Sequence, residues 1–221
     1  MNSIVQLAVA YVAGSLSFAT LVARWRGVDI RAAGSGNPGA TNVGRVLGKK
    51  WGRLVLVLDI LKGLLPVLLL RAFPGWVDDG RAPIAAAAVL GHIVPVFAPL
   101  HGGKGVATFL GASLGIDPSL TVLALLVHLG VRRATGYVSV ASVAMAWALP
   151  ALQLLARQLG LEGSVNTRGA PVLAGLALLI TLRHVRNFVR IRAGTEARHG
   201  VPAAAAAPAP SPELRKDMGI H

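Results

Sequence analysis

Long apolar stretches separated by short polar loops fill the sequence up to about residue 190. Five of these stretches approach the length of about 20 residues with which an α-helix crosses the bilayer core. They lie at residues 3–23, 54–73, 83–100, 138–156 and 170–189. The first has no positively charged segment ahead of it, so the pattern predicts a membrane helix and not a signal peptide.

A further apolar stretch at residues 105–130 is interrupted by the sequence GIDPS. Gly115, Asp117 and Pro118 favour a turn at this point over a continuous helix. Two short helices of eleven or twelve residues would then replace one span. With them, the pattern predicts an all-α membrane protein with seven transmembrane helices.

The distribution of positive charge supports the same count. The loop from Arg24 to Arg53 has seven basic residues against one acidic residue, which favours the cytoplasmic side for this loop and the outside for the N-terminus. Only two spans within residues 105–130 keep Arg132, Arg133 and the arginine-rich segment from residue 183 onward on that same side. The C-terminus is then cytoplasmic.

The composition agrees with a membrane protein. Hydrophobic residues make up 54% of the chain and charged residues 14%, compared with about 25% charged residues in a typical soluble domain. The net charge of +13 lies mostly beside the apolar spans, where basic residues orient membrane helices, so nucleic acid is not an expected partner. There is no cysteine, which excludes disulfides, a thiolate nucleophile and a cysteine metal site.

The first polar loop contains GSGNPGATNVGR at residues 34–45, with glycines in the G-x-G-x-x-G spacing of dinucleotide-binding loops. That fingerprint requires a preceding strand, but here a membrane helix lies on each side and Pro38 interrupts the motif. Contact with a phosphate is the better reading, because glycines let backbone N–H groups approach an anion and Arg45 can bind two phosphate oxygens at once. The alternative is a polar turn between helices. The neutral candidates for substrate contacts are Ser35, Gly36, Asn37, Thr41 and Asn42.

The second glycine-rich loop is GGKG at residues 102–105. It is not a Walker A motif, because Ala98 replaces the first glycine and Gly105 stands where Ser or Thr would bind magnesium. A glycine turn at a helix N-terminus with a lysine in it does favour an anion over a bare turn. We therefore expect Gly102, Gly103, Lys104 and Gly105 to bind substrate.

Polar residues at two further helix ends complete the set of candidates. His184 and Asn187 are three residues apart and share a helix face, whereas the neighbouring arginines at positions 183, 186 and 190 are expected to contact lipid headgroups. Ser139 and Ser142 enter the sixth span from the same side, although serines in membrane helices often bond only to the backbone.

Charged residues also occur within the predicted spans. Asp59 and Lys62 are three residues apart in the second span, a spacing that favours a structural ion pair over a catalytic role. His92, in the third span, is either a core histidine or a ligand.

Together, and in this order, GSGNPGATNVGR, DILKG, GHIVPVF with GGKGVAT, GYVSVAS, and RHVRN with GTE resemble the bacterial membrane acyl-phosphate:glycerol-3-phosphate acyltransferases, the PlsY family. The resemblance covers residues 1–198. It implies seven helices in the bacterial inner membrane and a site on the cytoplasmic face. It also implies transfer of a fatty acyl group from acyl phosphate to the 1-hydroxyl of sn-glycerol 3-phosphate, without a cofactor or metal. The products would be lysophosphatidic acid and phosphate, and the expected partners are the two substrates and membrane lipids.

Carried onto this chain, the resemblance assigns roles to individual residues. The catalytic set is Ser35, Arg45, Lys104, His184 and Asn187, and Ser139 and Ser142 belong to the substrate site. Arg45 and Lys104 would bind the acceptor's phosphate, while the three serines hold the acyl phosphate. Glu196 would be structural.

Two features depart from the family pattern: Pro38, and an Ala/Pro-rich segment at residues 201–221 that predicts a disordered tail after a membrane domain at residues 1–200. The main alternative function is a transporter or binding protein for a phosphorylated solute. Transporters usually place polar residues near the bilayer midplane between repeats, whereas these candidates gather at one face and no repeat is visible.

Overall fold

The computed structural model describes residues 2–70, 81–98 and 101–198, and all regular elements within these ranges are helices. The predicted all-α class is therefore confirmed for this part of the chain. The predicted tail at residues 201–221 lies outside it. In chain order the helices are α1 (Ser3–Ser15), α2 (Phe18–Trp25), α3 (Ala40–Val46), α4 (Lys49–Leu70), α5 (Arg81–Ile93), α6 (Val106–Ile116), α7 (Pro118–Thr135), α8 (Val138–Gln158), α9 (Ala170–Arg183) and α10 (Val185–Arg192).

The first predicted span is broken in the middle. α1 ends at Ser15, and α2 begins after Ser17, whose hydroxyl accepts a hydrogen bond from the backbone N–H of Thr20 at 3.4 Å. The prediction of one continuous helix over residues 3–23 was therefore wrong. The two helices together still form a 23-residue apolar segment long enough to cross a membrane.

Length and hydropathy identify fewer membrane spans than seven. Within the described residues, the segment Ser3–Trp25 and α8 are long and apolar enough to cross, and α9 with α10 makes a third if this pair, bent by 46°, is one span. α5 and α6 are apolar but short. α5 ends at Ile93, earlier than predicted, two residues before Pro95. The count of seven and its orientation remain predictions.

The predicted turn at GIDPS is present. Asp117 separates α6 from α7 and accepts a hydrogen bond from the backbone N–H of Leu120 at 3.0 Å, while Pro118 occupies the first helical position. α7 is longer than predicted, with 18 residues. It continues through Val131–Thr135 because the first helix-ending residue is Gly136, with φ of 76°.

Small residues allow the helices around the site to pack closely. Gly63 of α4 lies against the carbonyl oxygen of Thr108, and Gly111 of α6 lies against that of Ile60, both too near for a Cβ. Such backbone approaches are typical of helix packing in membranes. They fix α6 against α4, and thereby fix the position of the GGKG turn that precedes α6.

Candidate active site

The first glycine-rich loop is folded around the side chain of Asn42, in the short helix α3. Its amide nitrogen donates to the carbonyl oxygens of Ile30 and Ala33 at 3.2 and 3.0 Å, and its Oδ1 accepts from the N–H of Ser35 at 2.8 Å. Both amide hydrogens are thus used within the loop. Asn42 shapes the loop, and its capacity to donate a hydrogen bond to a substrate is already taken.

The other candidate side chains of this loop remain accessible. Ser35, Thr41 and Arg45 are exposed, and Asn37 is half-buried. Gly34 and Gly36 have φ of 60° and 70°, a left-handed conformation that glycine adopts without strain. The loop therefore presents hydroxyl and guanidinium groups on a fixed backbone.

The second loop is shaped by the end of α5. The N–H of Gly103 donates to the carbonyl oxygen of His92 at 3.2 Å, and Gly102 lies against the carbonyl oxygens of His92 and Ile93, where no side chain would fit. A Cβ on Gly103 would collide with the His92 ring and would lie 3.0 Å from the carbonyl oxygen of Pro38. The two glycine-rich loops are therefore in contact.

A chain of polar contacts runs from Lys104 to the end of α10. The ammonium of Lys104 donates to Oδ1 of Asn187. The amide of Asn187 donates to Oε1 of Glu196 at 2.6 Å, and Nε of Arg190 donates to Oε2 of the same carboxylate at 2.7 Å. The predicted neighbours Lys104 and Asn187 are thus in direct contact, and Glu196 fixes the orientation of the Asn187 amide.

His184 occupies the bend between α9 and α10. Its Nδ1 lies 2.8 Å from the carbonyl oxygen of Ile180, which can only accept a hydrogen bond, so Nδ1 carries the proton. In the neutral imidazole, Nε2 is then left as an acceptor. His184 is buried, and the charge of Lys104 lies near enough to act on it.

Two arginines on these helices point into the site, contrary to the expectation that they contact lipid headgroups. Arg183 donates to the carbonyl oxygen of Gly102 at 2.8 Å, and Arg190 binds Glu196. Residue spacing alone did not reveal these contacts, although the glutamate six residues after Arg190 was a partial signal.

The site carries an excess of positive charge. Burial lowers the pKa of the Lys104 ammonium to about 8. The Glu196 carboxylate opposes this shift, whereas three further cations act in the same direction as burial, namely Arg190, Arg45 and Arg183. Four cations and one carboxylate within electrostatic reach of each other form a pocket suited to anions.

The two candidate serines of α8 take no part in this chain of hydrogen bonds among the described residues. The hydroxyl of Ser142 donates to the carbonyl oxygen of Val138 at 2.7 Å, within its own helix. The hydroxyl of Ser139 is buried and has no hydrogen-bond partner among the described residues. Neither hydroxyl bonds to Lys104 or Asn187, so the substrate role of both serines stays a prediction.

The charged residues within the second predicted span form an ion pair. Lys62 and Asp59 are buried, and Nζ of Lys62 lies 2.8 Å from Oδ1 of Asp59. Nδ1 of His92 is 3.9 Å from the same oxygen. Within residues 2–70, 81–98 and 101–198, no three His, Asp or Glu side chains are grouped closely enough to hold a metal ion.

The pKa of Lys104 predicts a pH dependence for anion binding. Raising the pH from 7 to 9 should neutralise the ammonium of the empty site and weaken glycerol 3-phosphate binding about tenfold, measured as Kd by calorimetry. The phosphate second pKa is about 6, so the ligand keeps its charge over this range. The variant Lys104→Arg should show a flat profile, because a guanidinium stays protonated. A constant Kd for the unmodified protein would contradict the role of Lys104.

Comparison with known proteins identifies relatives along almost the whole described chain. Residues 4–194 match the family model described as glycerol-3-phosphate acyltransferase. A glycerol-3-phosphate acyltransferase of Geobacter sulfurreducens is 42% identical over 202 residues, which cover 90% of this chain and 98% of the relative. A relative of the same name in Myxococcus xanthus is 45% identical over 196 residues, covering 86% and 96%.

A solved structure shares the fold. PlsY (YgiH), an integral membrane glycerol 3-phosphate acyltransferase crystallised in its glycerol 3-phosphate form, superimposes with a TM-score of 0.80 at 38% sequence identity. The match covers 90% of this chain and 96% of that one.

Proposed function

Because the chain belongs to the glycerol-3-phosphate acyltransferase family, we propose that it acylates the 1-hydroxyl of sn-glycerol 3-phosphate with an acyl phosphate as donor. The products are lysophosphatidic acid and inorganic phosphate, in the first step of phospholipid synthesis. The observation that carries this proposal is the partly buried, positively charged site around Lys104 in a chain 42% identical to an acyltransferase of that name. The alternative of a transporter loses its support, because the relatives are enzymes.

Different residues of the two loops, the bend at His184 and α8 bind the two substrates. Lys104 and Arg45 bind the phosphate of glycerol 3-phosphate, and His184 and Asn187 position this acceptor beside them. The contact of Asn187 with Lys104 and Glu196 supports this assignment, because it holds the ammonium in place before substrate arrives. Ser35, Ser139 and Ser142 hold the acyl phosphate.

The acyl transfer requires correct orientation of the two substrates and does not require a nucleophile from the protein. The hydroxyl oxygen of the acceptor attacks the acyl carbonyl carbon, and the bond from that carbon to the phosphate oxygen breaks. The hydroxyl proton passes to a phosphate oxygen of the substrate. Since an acyl phosphate is a mixed anhydride and already activated, positioning and stabilisation of the developing negative charge can supply the catalysis.

The donor can be tested with the purified protein. Glycerol 3-phosphate is offered with acyl phosphate, acyl-CoA or acyl carrier protein thioester in separate reactions, and lysophosphatidic acid and phosphate are quantified. Equimolar lysophosphatidic acid and phosphate from acyl phosphate alone is expected. Product from a thioester but none from acyl phosphate would overturn the proposed donor.

The topology is proposed from the loop charges: an N-terminus outside, with residues 24–53, 101–104, 131–137 and 190 onward on the cytoplasmic face of the inner membrane. Contacts between these segments support a common side. Arg31 donates to the carbonyl oxygen of His101 at 3.5 Å, and Arg198 donates to the hydroxyl of Tyr137 at 3.3 Å.

A single cysteine tests this orientation, because the chain has no other. In Lys49→Cys, the thiol replaces the exposed side chain at the first residue of α4. An impermeant maleimide should leave this thiol unlabelled in intact cells and label it after permeabilisation. Labelling from outside intact cells would reverse the proposed orientation.

Replacing Arg45 with Lys tests the acceptor contact of the first loop. The positive charge is kept, but the planar contact with two phosphate oxygens is lost. We expect kcat/KM for glycerol 3-phosphate to fall roughly ten- to a hundredfold, corresponding to about 1.5 to 3 kcal/mol for hydrogen bonds to a charged group. Arg53→Lys, at an exposed position near the start of α4, should leave kcat/KM nearly unchanged. Equal effects of the two substitutions would remove the substrate role of Arg45.

A further inference from the structure

Three buried polar residues lie next to the GGKG turn without belonging to the proposed reaction. Asp59, Lys62 and His92, named here the buried polar cluster, are between 2% and 8% exposed. Asp59 and Lys62 come from the middle of α4, and His92 comes from the last turn of α5. Oδ1 of Asp59 is 2.8 Å from the Lys62 ammonium and 3.9 Å from Nδ1 of His92, so the carboxylate lies between the other two groups.

The buried polar cluster contacts a different backbone break on each side. Lys62 donates to the carbonyl oxygen of Leu16 at 2.6 Å, where the break between α1 and α2 leaves helix carbonyls without their usual partners. On the other side, the backbone carbonyl of His92 accepts from the N–H of Gly103, and the His92 ring fills the space that a Cβ of Gly103 would need. A small cavity lined by residues of both breaks lies between them.

An ion pair is an expensive way to fill this space. Charged side chains inside a membrane protein lose hydration, and well-packed apolar residues in place of a buried pair are often neutral or stabilising. The cluster therefore contributes more to the position of the backbone than to stability. Its contacts hold the broken first span and the GGKG turn at a fixed distance from each other. Lys104 follows that turn directly, so a shift of Gly103 moves its ammonium.

We propose that Asp59, Lys62 and His92 are positioning residues, which hold the Gly102–Gly103 turn against the break in the first span and thereby place Lys104 for the acceptor phosphate. This inference rests on the proposed function, since it assumes that Lys104 binds glycerol 3-phosphate. None of the three touches the reacting atoms. Their loss should weaken acceptor binding much more than it slows the saturated enzyme.

The test compares KM and kcat for glycerol 3-phosphate in His92→Leu and His92→Gln. His92→Leu removes the polar group beside Asp59 and should raise KM on the order of tenfold, because a displaced Lys104 ammonium loses part of its contact with the acceptor phosphate. The kcat at saturating acceptor should change less than about threefold. His92→Gln keeps a polar side chain near Asp59 and should restore KM to within about threefold of the unmodified enzyme.

Gln153→Leu is the matched control. Gln153 is another fully buried polar residue, and its amide donates to the carbonyl oxygen of Asn166 at 2.8 Å. The N–H of Asn166 in turn bonds to Asp117, at the opposite end of α6 from Lys104. The control should lose thermal stability and keep the KM of the unmodified enzyme, as a purely structural residue does.

If His92→Leu cannot be purified in folded form, the double variant Asp59→Leu/Lys62→Met serves the same purpose, because it removes both charges and leaves neither unpaired. A raised KM in this variant supports the inference, and an unchanged KM overturns it. A His92→Leu enzyme with lower stability and the original KM overturns it as well. Failure of the unmodified protein to acylate glycerol 3-phosphate would instead refute the proposed function.

Discussion

Replacing Lys104 with Met should lower kcat/KM for glycerol 3-phosphate by about 100- to 1,000-fold, the range found when a preorganised electrostatic group is removed from an active site. Methionine has a similar length but no charge. Its thioether cannot donate to Asn187, so the amide also loses the partner that orients its oxygen. Steady-state kinetics with acyl phosphate at saturation measure the effect.

Lys50→Met is a matched control, because its ammonium is outside the site and lies 5.8 Å from the Trp51 ring centre. It should stay within about twofold of the unmodified enzyme, as expected for a surface substitution. A Lys104→Met enzyme with kcat/KM reduced less than about fivefold would show that the phosphate is bound elsewhere.

The second large loss of activity is expected from Gly103→Ala, which adds a single methyl group. The φ of Gly103 is not in the left-handed region, so Gly103→Ala adds no backbone strain of its own. The new Cβ would, however, collide with the buried His92 ring and crowd the carbonyl oxygen of Pro38, so that the turn has to move. Because Lys104 is the next residue, we expect a loss of about a hundredfold or more in kcat/KM for a displacement near 1 Å.

Gly130→Ala is the control variant, because it makes the same glycine-to-alanine change away from the site. Gly130 lies within α7, and an added Cβ there meets no atom within 4 Å. Alanine should stabilise this helix by roughly 0.5 to 1 kcal/mol and leave the kinetics unchanged. A Gly103→Ala enzyme that is equally active would mean that the turn does not place the lysine.

Local signals in the sequence were sufficient for much of the helical structure. The break before Pro118 follows from the helix-capping chemistry of Asp117 and from the fixed φ of proline. The break after Ser15 has a weaker local signal, the N-cap hydroxyl of Ser17, and no proline stands beside it. It is stabilised from a distance, by the bond from Lys62 to Leu16, and such long-range contacts leave no local pattern.

In the candidate site, too, some features follow from local sequence signals and others depend on contacts between distant residues. The spacing of His184 and Asn187 predicted one shared helix face, and the structure brings Asn187 into direct contact with Lys104. Local spacing could not show the inward direction of Arg183 and Arg190, because Arg183 bonds to Gly102, 81 residues away, and Arg190 bonds to Glu196 beyond the end of α10. Likewise, Asn42 could not be recognised as the organiser of its loop, since its partners Ile30 and Ala33 are contacted only through backbone oxygens.

The most direct test of the Lys104 site is an experimental structure of the protein with glycerol 3-phosphate bound. The phosphate should lie within about 3 Å of the Lys104 ammonium and the Arg45 guanidinium, at the contact between the two glycine-rich loops. The 1-hydroxyl should remain free to meet an acyl donor. A phosphate bound instead at the exposed cations around Trp51, with Lys104 still bonded only to Asn187, would contradict the proposed acceptor site.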